Sequence, residues 1–411
     1  MSGSSGHSAP GRAGSPPRAG DDCRLQEGIY FRRGKQPGRC YRLLLLNIRP
    51  GATRSQAKTS ITKVWAEVQK LRSDLVADLR EPRLKARSRS APEPPDPELT
   101  CLLGFGAPLF ERYPELERPQ EVVGIDDQPA PFRALGWVDR ADRATGEADL
   151  ALQFIAGSEL AVSRAVVETW MLIKSLKLDV VALHGGFNRE DRRSWLGFHD
   201  GIANIAPDRR REAIETRVGT SIPDEPSWMD GGTYMGFLRL AIDLETWRDL
   251  SRPEQEASVG RDRETGCPLI HITERSNDPL EGCPEAHGPA SPEYRDPPLP
   301  SFELDDLAQF SHINRTNLNR PHGPIADTDN RIFRQGYEFL ECLPGGRLRL
   351  GLNFVSFQRK VSCLTNILTK DNWLGDANFG GKPSATLLRL IGGGYYAVPP
   401  MGRPFPGAGI F

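Results

Sequence analysis

One order of predicted secondary structure occurs in both halves of this chain, and this repetition restricts the fold more than any other feature. The first half opens with Cys40 to Ile48, an almost continuous apolar run that is typical of a strand covered on both faces. The other elements predicted for this half are helices at Lys58 to Asp78 and Glu159 to Lys174, and strands at Leu102 to Phe105, Ala134 to Val138, Leu150 to Ile155 and Val180 to Leu183.

The second half repeats this order. Pro253 interrupts a helical stretch from Glu245 to Val259, and Leu343-Pro344-Gly345-Gly346 has the composition of a hairpin turn. The other predicted elements are strands at Tyr234 to Leu244, Ile332 to Leu340, Leu348 to Phe354 and Tyr395 to Val398, and a helix at Gln358 to Lys370. Strand–helix–strand, twice over, is the ferredoxin-like (βαββαβ) arrangement. We therefore predict an α+β protein of two ferredoxin-like units, each with an antiparallel sheet and peripheral helices.

Length and composition divide the chain into a tail and two units. A chain of 411 residues is long enough for two packed domains. Met1 to Gly20 is rich in Gly, Ser, Pro and Arg and lacks aromatic anchors, so we expect residues 1–22 to be disordered. The first unit is expected at residues 23–206 and the second at 207–411.

Charge and targeting signals limit the partners. A formal net charge of −1 and the lack of a long basic run argue against nucleic acid. We find no secretory or twin-arginine signal, and the apolar stretch from Leu43 to Leu46 is too short to span a bilayer. We expect a cytoplasmic protein that does not bind membranes. Seven scattered cysteines without a Cys-x-x-Cys motif are expected to be reduced and unpaired.

Three short segments of the sequence carry residues suited to chemistry. A histidine can ligate a metal, a carboxylate can accept and return a proton, and an arginine supplies a fixed positive charge. These residues are His312 in Ser311-His312-Ile313-Asn314-Arg315, Asp200 in Leu196-Gly197-Phe198-His199-Asp200-Gly201, and Arg334 in Arg331-Ile332-Phe333-Arg334-Gln335-Gly336-Tyr337. Each segment alone is a weak signal, and we therefore weigh them together.

Together the three segments resemble those of the dye-decolourising (DyP-type) haem peroxidases, and the resemblance extends from about Leu102 to Pro400. It implies the duplicated ferredoxin-like fold and one non-covalent haem b per chain, held mainly by the second unit. It also implies a peroxidase that reduces hydrogen peroxide and oxidises an organic, dye-like or phenolic donor. The oligomeric state stays open.

His312 is the residue that the resemblance marks as the proximal iron ligand. It follows Glu303 to Phe310, which has the pattern of a short amphipathic helix. Taken alone, His312 would be interpreted as a surface or hydrogen-bonded histidine. Asn314 and Arg315 lie where the family contacts the haem propionates. Asn314 departs from the family pattern, in which an arginine commonly follows the ligand, so one such contact is in doubt.

The resemblance places Asp200 and Arg334 on the distal side of the haem. Asp200 would move the proton that peroxide must lose and regain, although Asp-Gly alone is also a common turn. Arg334 would stabilise developing negative charge. Arg331 competes for that role, but the family pattern favours the arginine two residues before the glycine. A strand arginine paired with a surface acid is the plain alternative.

Further residues are assigned more loosely. Leu352 and Phe354 match apolar residues of the distal pocket, but they fit an ordinary core equally well. Asp376 is our choice, ahead of Asp371 and Asp329, for the carboxylate that accepts a hydrogen bond from the proximal histidine. Surface relays for bulky donors would be Tyr337, Tyr395 or Trp373.

Two other functions remain open at this stage. The first is a haem-binding protein that handles haem or its iron, with incidental peroxidase activity. The second is a dedicated biosynthetic haem oxidase, whose substrate the long loop from Thr273 to Ser301 would help to select. Turnover of a dye with peroxide separates the carrier from the peroxidases.

Overall fold

The computed structural model describes a large part of the chain on both sides of residue 206. The described residues are 24–29, 38–73, 99–123, 147–202, 204–205, 207–219, 225–267, 269, 311–316, 331–368 and 387–411. The expected tail at residues 1–22, the strand predicted at Ala134 to Val138 and the loop from Thr273 to Ser301 lie outside these ranges. None of the helices in the described part is long and apolar enough to cross a bilayer.

The N-terminal half alternates strands and helices as predicted. Its elements are β1 (Cys40–Ile48), α1 (Arg54–Ser73), β2 (Thr100–Gly106), α2 (Ala107–Arg112), α3 (Gln120–Val123), β3 (Leu150–Ala156), α4 (Glu159–Ile173) and β4 (Leu178–Phe187). Helix α1 begins four residues before the prediction. Thr53 and Gln56 explain this start, because the side chain of each accepts a hydrogen bond from the backbone N–H of the other.

The C-terminal half repeats the arrangement. Its elements are α5 (Pro207–Ile214), β5 (Thr233–Ile242), α6 (Leu244–Arg248), α7 (Arg252–Val259), α8 (His312–Thr316), β6 (Phe333–Cys342), β7 (Leu348–Gln358), α9 (Ser362–Leu368) and β8 (Leu388–Val398). The predicted split at Pro253 is confirmed. Pro253 occupies the first turn of α7, where no N–H is needed, and Ser251 and Glu254 form a capping box around it.

Both halves have ferredoxin-like strand order. The N-terminal strands lie in the order β4-β1-β3-β2, and the C-terminal strands in the equivalent order β8-β5-β7-β6. All the pairings are antiparallel. The predicted fold class is therefore confirmed.

Our expectation of two separate sheets is wrong. The edge strands of the two halves pair with each other, β2 with β8 at Phe105 and Ala397, and β4 with β6 at Phe187 and Glu338. The eight strands thus form one closed antiparallel sheet. Pairing satisfies N–H and C=O groups that edge strands would otherwise leave exposed. The division of the chain at residues 206 and 207 stays a prediction.

Two apolar clusters explain why the β1 sequence is almost continuously apolar. Tyr41, Leu43 and Leu45 point into the interior of the closed sheet, where Tyr41 stacks on Tyr337 at 4.5 Å between ring centroids. Leu44 and Leu46 point outward into a second cluster, which includes residues of α1 and α4. Each face of β1 is therefore buried, as a continuous apolar run requires.

The expectation that every cysteine is unpaired is also wrong. Cys267 takes part in a disulfide whose partner lies outside the described ranges. Cys40, Cys101, Cys342 and Cys363 are free thiols. The sequence offered no signal for this bond, because the cysteines are widely spaced and irregular.

Candidate active site

The candidate site lies on the outer side of β6, away from the interior of the closed sheet. Side chains alternate between the two faces of a strand, and Phe333 and Tyr337 belong to the interior cluster. The outer side of β6 therefore carries Arg334, Gly336 and Glu338. Arg331, our competing assignment, precedes the first residue of the strand.

Strand β7 adds an apolar border to this face. Leu352 is paired with Glu338, and Phe354 with Gly336. Both are half-buried, whereas Asn353 and Val355, which alternate with them, are fully buried. Helix α9 packs against the outer face of the adjoining strand β5. The outer face of β6 and β7 thus carries two half-buried apolar side chains beside Arg334, Gly336 and Glu338.

Asp200 extends over this face from the segment between β4 and α5. Its carboxylate oxygen Oδ2 lies 2.6 Å from the position that a β-carbon would occupy on Gly336. The Cδ1 atom of Leu352 lies 3.3 Å from the same position. Only glycine leaves this space for the carboxylate. Asp200 Oδ1 also accepts a hydrogen bond from the Gly201 N–H at 2.7 Å, so the turn that we considered as an alternative exists as well.

The two glycines of this segment have a conformational role. Gly197 has φ +87° and Gly201 has φ +83°, in the left-handed region that side chains disfavour. No described atom comes within 4 Å of the position of a β-carbon on Gly201. The left-handed backbone next to Asp200, rather than crowding by other described residues, therefore explains why residue 201 is glycine.

Arg334 and Asn204 join the Asp200 segment to β6. The guanidinium of Arg334 donates to the carbonyl of Ile202 at 2.7 Å. Asn204 Oδ1 accepts the backbone N–H of Arg334 at 3.0 Å, and Asn204 Nδ2 donates to the Arg334 carbonyl at 2.7 Å. Asn204 thus acts as an additional strand partner for Arg334. These bonds hold Asp200 and Arg334 on one face.

Helix α6 contacts this segment, and Arg193 makes a hydrogen bond within it. Phe198 packs edge to face on Trp247 at 6.1 Å, and the Trp247 indole donates to the Leu196 carbonyl at 3.1 Å. The guanidinium of Arg193 donates to the Gly197 carbonyl at 2.7 Å. The Asp200 segment is therefore fastened at several points rather than free to swing.

Asp200 has a positively charged neighbour, Arg192. Burial lowers the pKa of Arg192, and the negative charge of Asp200 opposes this shift. Burial also lowers the pKa of His199, and the positive charge of Arg193 adds to the effect. His199 is therefore neutral at a pH where an ordinary histidine would still be partly protonated.

His312 lies on a separate element, the short helix α8, and is half-buried. The following residue, Ile313, packs against Gly260 at the end of α7; a β-carbon on Gly260 would lie 2.6 Å from Ile313 Cγ1. Helix α7 follows α6, and Trp247 of α6 packs on Phe198. One helical region thus supports both the Asp200 segment and the His312 helix.

Several predicted residues cannot be placed in this way. The side chains of Asn314 and Arg315 lie outside the described part of the structure, although their backbone belongs to α8. Asp376, Asp371, Asp329 and Trp373 also lie outside it. Tyr337 and Tyr395 are buried, so our suggestion of these two residues as surface relays is wrong.

The C-terminal half matches a known family. The model of the C-terminal part of Dyp-type peroxidases matches residues 191–403, a range that contains Asp200, His312 and Arg334. That range covers more than half of the chain.

The chain belongs to the DyP-type peroxidase family.

Proteins named deferrochelatase are among its curated relatives. The Shigella flexneri serotype 5b protein is 28% identical over 313 residues, which cover 72% of this chain and 65% of the relative. The Escherichia coli K12 protein is 28% identical over 317 residues, which cover 74% and 65%. The chain thus spans about two thirds of the length of these relatives.

Solved structures of DyP-type peroxidases share the fold. The Cellulomonas bogoriensis enzyme is 24% identical with a TM-score of 0.61, and the match covers 94% of this chain and 95% of that one. The Streptomyces coelicolor enzyme is 20% identical with a TM-score of 0.67, and the match covers 93% and 94%. At this identity the likeness supports the fold alone.

The DyP-type family implies haem, and the residues of the candidate site fit it. The β6–β7 face combines half-buried Leu352 and Phe354 with a carboxylate and a guanidinium. Because Gly336 has no β-carbon, the Asp200 carboxylate occupies the space above it at this face. An imidazole such as that of His312 is a suitable ligand for iron.

Two residues of the site were not predicted. Asn204 lies three residues after the quoted Asp200 motif, and its bonds to Arg334 join segments 130 residues apart in the sequence. Glu338 is the third residue of the outward series on β6. The spacing Arg334-x-Gly336-x-Glu338 places it on the same face of the predicted strand as Arg334, but that spacing alone does not mark it as part of the site.

Replacing Gly336 with alanine tests the contact with Asp200. The new methyl group would overlap the Asp200 carboxylate, so we expect the carboxylate to move by about 1 Å, which would restore an ordinary contact distance. Gly402→Ala is the control, because the nearest atom to its β-carbon would lie at 3.6 Å. Crystal structures of both variants make the comparison. An unmoved Asp200 in Gly336→Ala would contradict the described geometry.

Proposed function

We propose that this protein is a haem-dependent peroxidase that reduces hydrogen peroxide and oxidises an organic, dye-like or phenolic donor. One observation carries the proposal: a proton-accepting group, Asp200, and a fixed cation, Arg334, lie on one half-exposed face beside apolar Leu352 and Phe354. The bound haem iron would supply the redox chemistry. We expect non-covalent haem b, one per chain, in a cytoplasmic protein.

The proposed role of Asp200 is proton transfer. Peroxide must lose a proton from one oxygen and regain one on the other before its O–O bond breaks. A carboxylate that is exposed toward the ligand face and fastened at its backbone can accept the proton and return it. The bond from Gly201 uses only Oδ1, so Oδ2 is the oxygen available at the Gly336 contact.

The proposed role of Arg334 is charge stabilisation. Arginine stays protonated at any working pH, so it cannot act as the base. Its bond to the Ile202 carbonyl and the two bonds between Asn204 and its backbone fix its position. A preorganised cation stabilises developing negative charge without the cost of reorganising at the moment of reaction.

His312 would hold the haem through its imidazole, which is a suitable ligand for iron. Most other haem contacts would then come from the C-terminal half. Asp376 is our proposal for the acceptor of its second ring N–H, and Asn314 and Arg315 for contacts with the propionates.

Haem handling is the second candidate function, because the curated relatives described above are named deferrochelatases. A protein of this kind would yield metal-free porphyrin from haem, whereas a peroxidase would consume peroxide and dye. Porphyrin fluorescence and dye oxidation, followed in parallel on the same haem-loaded sample, separate the two functions. Porphyrin release without dye turnover would overturn the peroxidase proposal.

Replacing His312 tests the ligand assignment. His312→Ala should purify with little haem, or with an altered Soret band that added imidazole restores, because the axial ligand is lost. His199→Ala, which changes a histidine assigned no role in haem binding, should retain its haem. Haem content per chain measures both. Full haem occupancy and unchanged activity in His312→Ala would exclude His312 as the ligand.

Substitutions on the distal side test the division of roles. Arg334→Leu should slow the reaction with peroxide by ~10²–10³, the usual effect of removing one charge-stabilising group. Asp200→Asn should cause a smaller loss, because water can partly relay the proton. Stopped-flow mixing with peroxide at several pH values measures both rates, with haem content as the control. Wild-type rates in both variants would mean that neither residue acts there, and a far larger loss in Asp200→Asn would reverse the ranking.

A further inference from the structure

Glu338 is a buried acid directly beside the proposed distal residues. It follows Arg334 and Gly336 on the outer side of β6, and only 4% of its surface is exposed. Its paired neighbours are apolar: Phe187 on β4 and Leu352 on β7. A carboxyl group in such surroundings requires an explanation, because burying it without full hydrogen bonding costs free energy.

The two carboxyl oxygens of Glu338 have different surroundings. Oε1 accepts a hydrogen bond from the backbone N–H of Trp195, which lies in the Asp200 segment. Oε2 is buried and has no hydrogen-bond partner within the described structure. Glu338 therefore holds the Asp200 segment with one oxygen and leaves the other unsatisfied.

Asp200 lies within electrostatic reach of this group. Its carboxylate lies against Gly336, and residues two apart on a strand are separated by about 7 Å along it. Burial raises the pKa of Glu338 to about 7, and the negative charges of Asp200 and Asp191 contribute to the rise. The Trp195 N–H and the positive charge of Arg189 oppose it. Glu338 thus changes its charge near neutral pH.

We propose that Glu338 is a positioning residue for Asp200, which fixes the Asp200 segment through the Trp195 N–H and sets the proton affinity of Asp200 through its own charge. The inference rests on the distal role proposed for Asp200. When Glu338 loses its proton to solvent, a second negative charge faces Asp200, and the repulsion between the two carboxylates is relieved when the pair takes up a proton. Only O–H bonds form and break in this exchange.

The coupling can be measured without turnover. An infrared titration of the haem-loaded, full-length protein at rest follows the protonated carboxyl of Glu338, which is identified by its loss in Glu338→Gln. In Asp200→Asn, which alters an exposed residue, the midpoint of Glu338 should fall by about one pH unit, because a like charge has been removed. An unchanged midpoint would overturn the proposal.

The pH profile of the peroxide step provides the second readout. Glu338→Gln keeps an acceptor for the Trp195 N–H but cannot ionise. The variant should react with peroxide at the wild-type rate at acid pH and several-fold more slowly than the wild type above neutrality. The reason is that the variant lacks the increase in rate that ionised Glu338 causes in the wild type. Glu190→Gln is the matched control: Glu190 lies in the same segment, and its side chain is 84% exposed. A wild-type profile in Glu338→Gln would contradict the inference.

The two readouts separate this inference from the proposed function. If the Glu338 midpoint shifts in Asp200→Asn but that variant reacts with peroxide at the wild-type rate, the two groups are coupled and the distal role of Asp200 is wrong. If Asp200→Asn reacts slowly and the midpoint does not move, Asp200 keeps its role and the inference about Glu338 is wrong.

Discussion

The register of β6 against β7 is the constraint on which the rest of the site depends. It places Arg334, Gly336 and Glu338 side by side on the outer face, opposite Leu352 and Phe354. A shift of one residue would turn the whole outward series into the interior, where Phe333 and Tyr337 now pack. Burial of these aromatic side chains therefore fixes the orientation of the polar residues outside.

The site also depends on contacts across the seam between the two halves of the chain. Asp200 follows β4 of the N-terminal half, yet its carboxylate lies against Gly336 of β6. Three hydrogen bonds join the Asp200 segment to β6. Asn204 accepts the Arg334 N–H, the Trp195 N–H donates to Glu338, and the Arg334 guanidinium donates to the Ile202 carbonyl. Asn353 adds a bond from β7 to the Gly185 carbonyl at 2.8 Å. Closure of the sheet at Phe187 and Glu338 thus brings the Asp200 carboxylate to a face on the other half.

Much of the fold could be predicted from local patterns. The β1 strand, the break at Pro253 and the turn at Gly345 and Gly346 each follow from the chemistry of a few adjacent residues. Closure of the sheet could not be predicted, because it pairs strands far apart in the sequence, and edge strands carry no specific mark of their partner. The disulfide of Cys267 was missed because the irregular spacing of the seven cysteines carries no signal for pairing.

The residues of the site also divide into those that could be predicted from the sequence and those that could not. Asp200 and Arg334 were chosen from motifs, and the structure places them on one face. Glu338 was missed because its importance appears only when the carboxylate of Asp200 is known to occupy the space above Gly336. Nothing in the sequence of either segment alone indicates that contact.

A crystal structure of the haem-loaded protein tests the central claim most directly. The account predicts haem on the outer face of β6 and β7, with Asp200 and Arg334 on one side of the porphyrin and His312 bound to the iron on the other. Haem held wholly by the N-terminal half, or an axial ligand other than His312, would contradict it.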